Sequence, residues 1–152
     1  MANENSGGGD SPSGMFRRVL VGFDGSSEAW RAFRVARSLA ADLGGDVHVL
    51  LVVKPRAHAE TPEERQTALQ EEQASLAQGL DAEQSTDARD TTPFSHVVFD
   101  SNPANAIVQF AKEHGFDLIV VGTHGREQMM HRGVGHSLEA LIRAHDCPVL
   151  VV

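Results

Sequence analysis

The chain has 152 residues, 41% hydrophobic and 22% charged, which suits one globular domain and excludes a wholly disordered polypeptide. Its 13 Lys and Arg against 21 Asp and Glu give a formal charge of −8 with no basic block, so no nucleic-acid partner is expected. No apolar run nears the roughly 20 residues of a bilayer span, and no leader pattern opens the chain, so the expectation is a cytoplasmic protein without a membrane partner.

Residues 1–14 (MANENSGGGDSPSG) carry almost nothing apolar and are read as a disordered N-terminal tail ahead of one domain over 15–152. Within them Ser6-Gly7-Gly8-Gly9-Asp10-Ser11 matches the loop of ATP pyrophosphatases. That loop works only between a buried strand and a helix N-terminus. Here only Met-Ala-Asn-Glu-Asn precedes it and Pro12 follows shortly, so the match is read as chance.

Beyond the tail, short apolar runs alternate with helix-length segments, the pattern of a parallel sheet covered by helices. Val19 to Phe23 is the first strand. Ser26 or Ser27 caps a helix whose apolar stripe runs Ala29, Phe33, Ala36, Ala40, Leu43 and which Gly44 ends, with Trp30 off the stripe. Val47 to Val53 is the second strand. Thr61-Pro62-Glu63-Glu64 then forms a capping box with Pro at the first helical position, and the thin stripe of Leu69, Leu76 and Leu80 predicts a helix largely exposed on one side.

A polar stretch over 81–92 leads to a third strand at Ser95 to Phe99, and Asn102-Pro103 starts a helix with Ile107, Phe110, Ala111 and His114 as its inner face and Gly115 as its stop. Leu118 to Val121 is a fully apolar fourth strand. Residues 122–135 hold four glycines without an apolar period, after which Leu138, Leu141 and Ile142 mark a last helix. Pro148 to Val152 closes as a fifth strand. Cys147, the single cysteine, has no second thiol for a disulfide, a redox pair or a cysteine zinc site, and reads as a small buried hydrophobe.

In open α/β sheets ligands lie beyond the carboxyl ends of the strands, where the strand order switches. Two such ends stand out: Val21-Gly22-Phe23-Asp24-Gly25-Ser26 and Val121-Gly122-Thr123-His124-Gly125. After nine intervening residues, Gly135-His136-Ser137 opens a helix. Glycines there let the backbone approach an anion, and the N–H groups of the helix's first turn aim at it, which suits phosphate. It is neither a Walker loop nor the dinucleotide fingerprint.

With Leu50-Leu51-Val52-Val53, Asp117 to Gly125 and the closing Cys147-Pro148-Val149-Leu150-Val151-Val152, these residues closely resemble the universal stress protein family over about 16–152. The resemblance implies a Rossmann-like, doubly wound five-stranded parallel sheet in the order 3-2-1-4-5 with helices on both faces. It further implies adenine-nucleotide binding, by ATP or by ADP or AMP, with Mg²⁺ as an accompanying ion. The glycine spacing of the family's ATP-binding members falls on Gly122, Gly125 and Gly135, but the closing Ser or Thr is replaced by His136, with Ser137 one step later. The phosphate end implied is thus Gly122, His124, Gly125, Gly135, His136, Ser137 and Leu138, and the adenosine end Gly22, Phe23, Asp24, Val52 and Val121. Asp24 has two compatible readings, a contact to nucleoside or cation and an Asx-type helix cap.

The His136 imidazole either donates to phosphate, and then tunes binding with pH, or fills the pocket. His124, His131 and His136 share neither a helical face nor a carboxylate pair, so no metal site is expected. Arg126 and Arg132 either screen phosphate charge or are solvated, and Met129-Met130 packs on a partner, on nucleotide or on the local core. No nucleophile-base pair or carboxylate pair is visible, so the expectation is no enzyme beyond slow ATP hydrolysis. It is instead a switch in which nucleotide orders the 123–134 loop for an unidentified protein partner. The alternative is a dimeric interaction protein without nucleotide, and an adenylating enzyme rests on the tail alone. A homodimer through Val149 to Val152, an apolar strand at a sheet edge, is expected on both the strand's character and the resemblance.

Overall fold

The computed structural model describes residues 15–55, 61–83, 89, 92–123, 136–143 and 147–152, the side chains of 136–138 excepted. The expected tail over 1–14 lies outside these residues. In chain order the elements are β1 Arg18–Phe23, α1 Ser27–Leu43, β2 Asp46–Val53, α2 Pro62–Ala82, β3 Phe94–Phe99, α3 Pro103–Glu113, β4 Leu118–Val121, α4 His136–Arg143 and β5 Val149–Val151. All strand pairs are parallel, in the order β3-β2-β1-β4-β5. This is the Rossmann-like α/β sheet expected, with β3 and β5 at its edges.

Local chemistry accounts for the helix ends. The Ser26 side chain accepts from Ala29 N at 3.1 Å and starts α1, and Gly44, at φ 70°, closes it in the left-handed region. Thr61 and Glu64 exchange the two bonds of a capping box, with Pro62 at the first helical position. Asn102 accepts from Asn105 N to start α3.

Alternation along the strands divides the core. Val19, Val21, Val49 and Val120 face α1 and α2 through Phe33, Ala36, Leu76 and Leu80. Leu20, Leu50, Ile119 and Val121 face α3 and α4 through Ala104, Ile107, Ala111 and Leu141. Strands β1 and β4, central and covered on both faces, are consequently almost continuous apolar runs.

Four details differ from the sequence reading. Strands β1, β2 and β3 each begin one residue earlier, and β5 spans only Val149–Val151. Trp30 belongs to the core: its ring meets Phe23 and Phe33 edge-on at 4.9 and 5.9 Å and lies beside Gly79 in the seam between α1 and α2, a contact the period of α1 alone does not reveal. His114 is exposed, because it is the C-cap of α3 and its ring folds back on Phe110 at 4.1 Å. Ile142 is also exposed; α4 is short and buries Leu141 instead. Leu69 and Cys147 are half-buried. Among the described residues, no helix is long and apolar enough to cross a membrane.

Candidate functional site

From β1 the chain leaves through α1 toward β2, and from β4 through α4 toward β5 on the opposite side, so strand order switches between β1 and β4. The carboxyl ends of these strands are therefore where a crevice opens. Both close with glycine. A Cβ at Gly22 would stand 2.8 Å from Ile107 Cδ1 of α3 and 3.1 Å from Val121 Cγ1. One at Gly122 would stand 2.8, 2.9 and 3.0 Å from Cβ, C and O of Glu28, in the first turn of α1. Each glycine thus admits a neighbouring element to the strand end, and neither Ile107 nor Glu28 is singled out by sequence spacing. Ile107 is legible only as a core residue of α3.

The other predicted adenosine-end residues gather here. Val52 is half-buried on the α3 face and Val121 buried beside Gly22. The Phe23 side chain turns the other way, into the α1–α2 core, leaving only its backbone groups at the strand end. Asp24 is half-buried and its Oδ1 accepts from Ser26 N at 2.9 Å, an Asx turn leading into α1, whose cap is Ser26 rather than Asp24. Thr123 N donates to Val152 O at 3.0 Å and Val152 N to Val121 O at 2.9 Å, which fastens the end of β5 to the exit of β4.

Of the predicted phosphate end, His124, Gly125 and Gly135 lie outside the described residues, as do Arg126, Met129, Met130, His131 and Arg132. His136, Ser137 and Leu138 form the first turn of α4 as backbone. A helix start therefore follows β4 in the chain, the kind of place where first-turn N–H groups have no partner within the helix. Among the described residues, no group of three His, Cys, Asp or Glu is placed to hold a metal ion.

Fold and strand-end glycines together define a Rossmann-like α/β protein with its candidate site at the switch point. Residues 15–152 match the universal stress protein family, and the chain belongs to that family. It is 28% identical over 144 residues to a universal stress protein of Methanocaldococcus jannaschii, covering 91% of this chain and 82% of the relative. Among solved structures, UspA of Lactobacillus plantarum superposes with a TM-score of 0.70 at 26% identity, covering 91% and 98% of the two chains. A universal stress protein in complex with cAMP matches at TM-score 0.67 and 22% identity, covering 90% and 96%. One from Archaeoglobus fulgidus in complex with dAMP matches at 0.60 and 21%, covering 90% and 98%. At those last identities the likeness is one of fold, and the nucleotides are those proteins' own.

Proposed function

We propose that this chain is an adenine-nucleotide-binding regulatory protein of the stress response, acting in the cytoplasm as a switch and not as an enzyme. The observation that carries the reading is the pair of glycines at the carboxyl ends of β1 and β4, on either side of the switch in strand order, where α3 and the first turn of α1 close on the strand ends. In this reading Asp24 meets the nucleoside while closing its Asx turn, and Val52 and Val121 wall the base. Gly122, His124, Gly125, Gly135 and the first turn of α4 hold the phosphates of ATP, ADP or AMP, with Mg²⁺ as counter-ion. The cAMP and dAMP complexes of related proteins support adenine as the base. Nucleotide works by population shift, favouring the state that a protein partner reads.

Titration calorimetry of wild type and His136→Ser with ATP, ADP and AMP, with and without Mg²⁺, tests this. Saturable binding by wild type is expected, and no binding by either protein at millimolar nucleotide overturns it. Binding by His136→Ser alone would mean that the imidazole fills the phosphate end and that the chain acts without nucleotide. Strand β5, at the sheet edge, favours a homodimer in either case. Sedimentation should give a dimer at micromolar concentration; a monomer contradicts it.

A further inference from the structure

At the opposite end of the sheet, on the α3 face, lies a ring cluster that the candidate site does not use. His48 pairs in register with Phe94, and His96 with Leu50, so the two histidines sit diagonally on adjacent strands. His48 Nδ1 and His96 Nε2 are 2.9 Å apart and the rings are within 5° of parallel. Parallel rings with nitrogens that close meet edge to edge, so one N–H bridges them. Phe94 stacks on His48 at 4.6 Å, Phe116 meets it edge-on at 4.8 Å, and Phe110 lies against His96 at 5.0 Å. The carboxyl end of α3 rests on this pair: Phe110 belongs to it, and His114, its C-cap, stacks on Phe110.

The proton count is constrained. The neutral pair has two protons for four ring nitrogens, one in the bridge and one on an outer nitrogen. A first proton from solvent takes the other outer nitrogen and leaves the bridge intact. A second can go only to the bridge acceptor, where two N–H groups then face each other and no bond is possible. We propose that the His48–His96 pair is an acid-sensitive latch, holding the carboxyl end of α3 on β2 and β3 while one proton bridges the rings and releasing it once both bridge nitrogens are protonated.

Among the described residues, the charged and titratable groups facing the pair are Arg18 from β1, Asp46 from β2 and His114 from the end of α3. Burial, then His96 and Arg18, push the His48 pKa down to about 4, with Asp46 opposing them. Burial, then His114 and Arg18, lower that of His96. Both groups titrate below their ordinary value, so the latch is complete above pH 6.5, the unfolded value, and its stabilisation is lost as pH falls toward about 4.

Histidine ring resonances and amide exchange of the full chain, read by NMR from neutral to acid pH, test the latch. The two rings should titrate as a coupled pair below the ordinary histidine range. Over the same interval, protection across Val108 to Glu113, corrected for intrinsic exchange, should fall by roughly tenfold or more while β1 and β4 keep theirs. Independent titration in the ordinary range, or α3 protection indifferent to that interval, overturns the proposal. His96→Gln keeps a hydrogen-bonding group that does not titrate, so its α3 protection should lose the acid response. A wild-type response in that variant also overturns the latch, and if the variant does not fold the wild-type titration decides.

Discussion

At the carboxyl end of the sheet, Gly22 and Gly122 place no side chain between the strands and the elements above them, and Asp24 and Thr123 present polar groups. At the amino end side chains fill the α3 face: His48 of β2, Phe94 of β3, Phe110 of α3 and Phe116 ahead of β4 pack ring against ring, and the Arg18 guanidinium lies 4.9 Å over Phe116. There the Asp117 carboxylate accepts from Arg17 N and Arg18 N at 2.9 and 3.0 Å, pinning the start of β1 beside β4. At one end glycines let α3 and the first turn of α1 come in close to the strand exits, the place where an open α/β sheet takes a ligand. The other spends its side chains on packing, which serves stability and, through the histidine pair, a response to acid.

If that division holds, substitutions at the two ends separate stability from binding. The largest effect is expected from Phe116→Ala, a buried ring of the amino end, which should cost about 3–5 kcal/mol in denaturant unfolding through lost packing and the cavity left. Its folded fraction should bind nucleotide as wild type does. A loss of affinity without a loss of stability breaks the comparison.

Smaller in stability, and opposite in kind, is Gly122→Ala. The added Cβ would press on the carbonyl carbon and oxygen of Glu28, backbone that cannot swing aside, so a cost of about 1–3 kcal/mol is expected along with weakened nucleotide binding. Smaller again is Gly22→Ala, where the nearest atom is the flexible end of Ile107. It should cost less stability than Gly122→Ala and still weaken binding, read by unfolding midpoint and calorimetry. A larger stability loss at Gly22 than at Gly122 would contradict the packing described.

What was legible in the sequence is mostly what is local. Ser26, Gly44, Thr61 with Glu64, and Asn102 with Pro103 mark helix ends through bonds spanning a few residues, and the strand runs follow from burial on both faces. Strand order and the adenosine-end residues came from the family resemblance, and Gly22, Asp24, Val52, Val121 and Gly122 do share one end of the sheet. What stayed hidden is long-range. Trp30 finds α2 through Gly79, Gly122 finds Glu28, and His48 finds His96 48 residues away, none of which any local period encodes. Phe23 shows the limit of a carried-over role, since its residue is in place but its ring points into the core.

The most direct test of the central claim is a backbone amide NMR titration of the wild-type chain with ATP and Mg²⁺. Saturable shifts are predicted at Gly22, Asp24, Val52 and Val121 through Thr123, with His48, Phe94 and Phe116 unmoved. Shifts confined to the amino end, or none up to millimolar nucleotide, would contradict it.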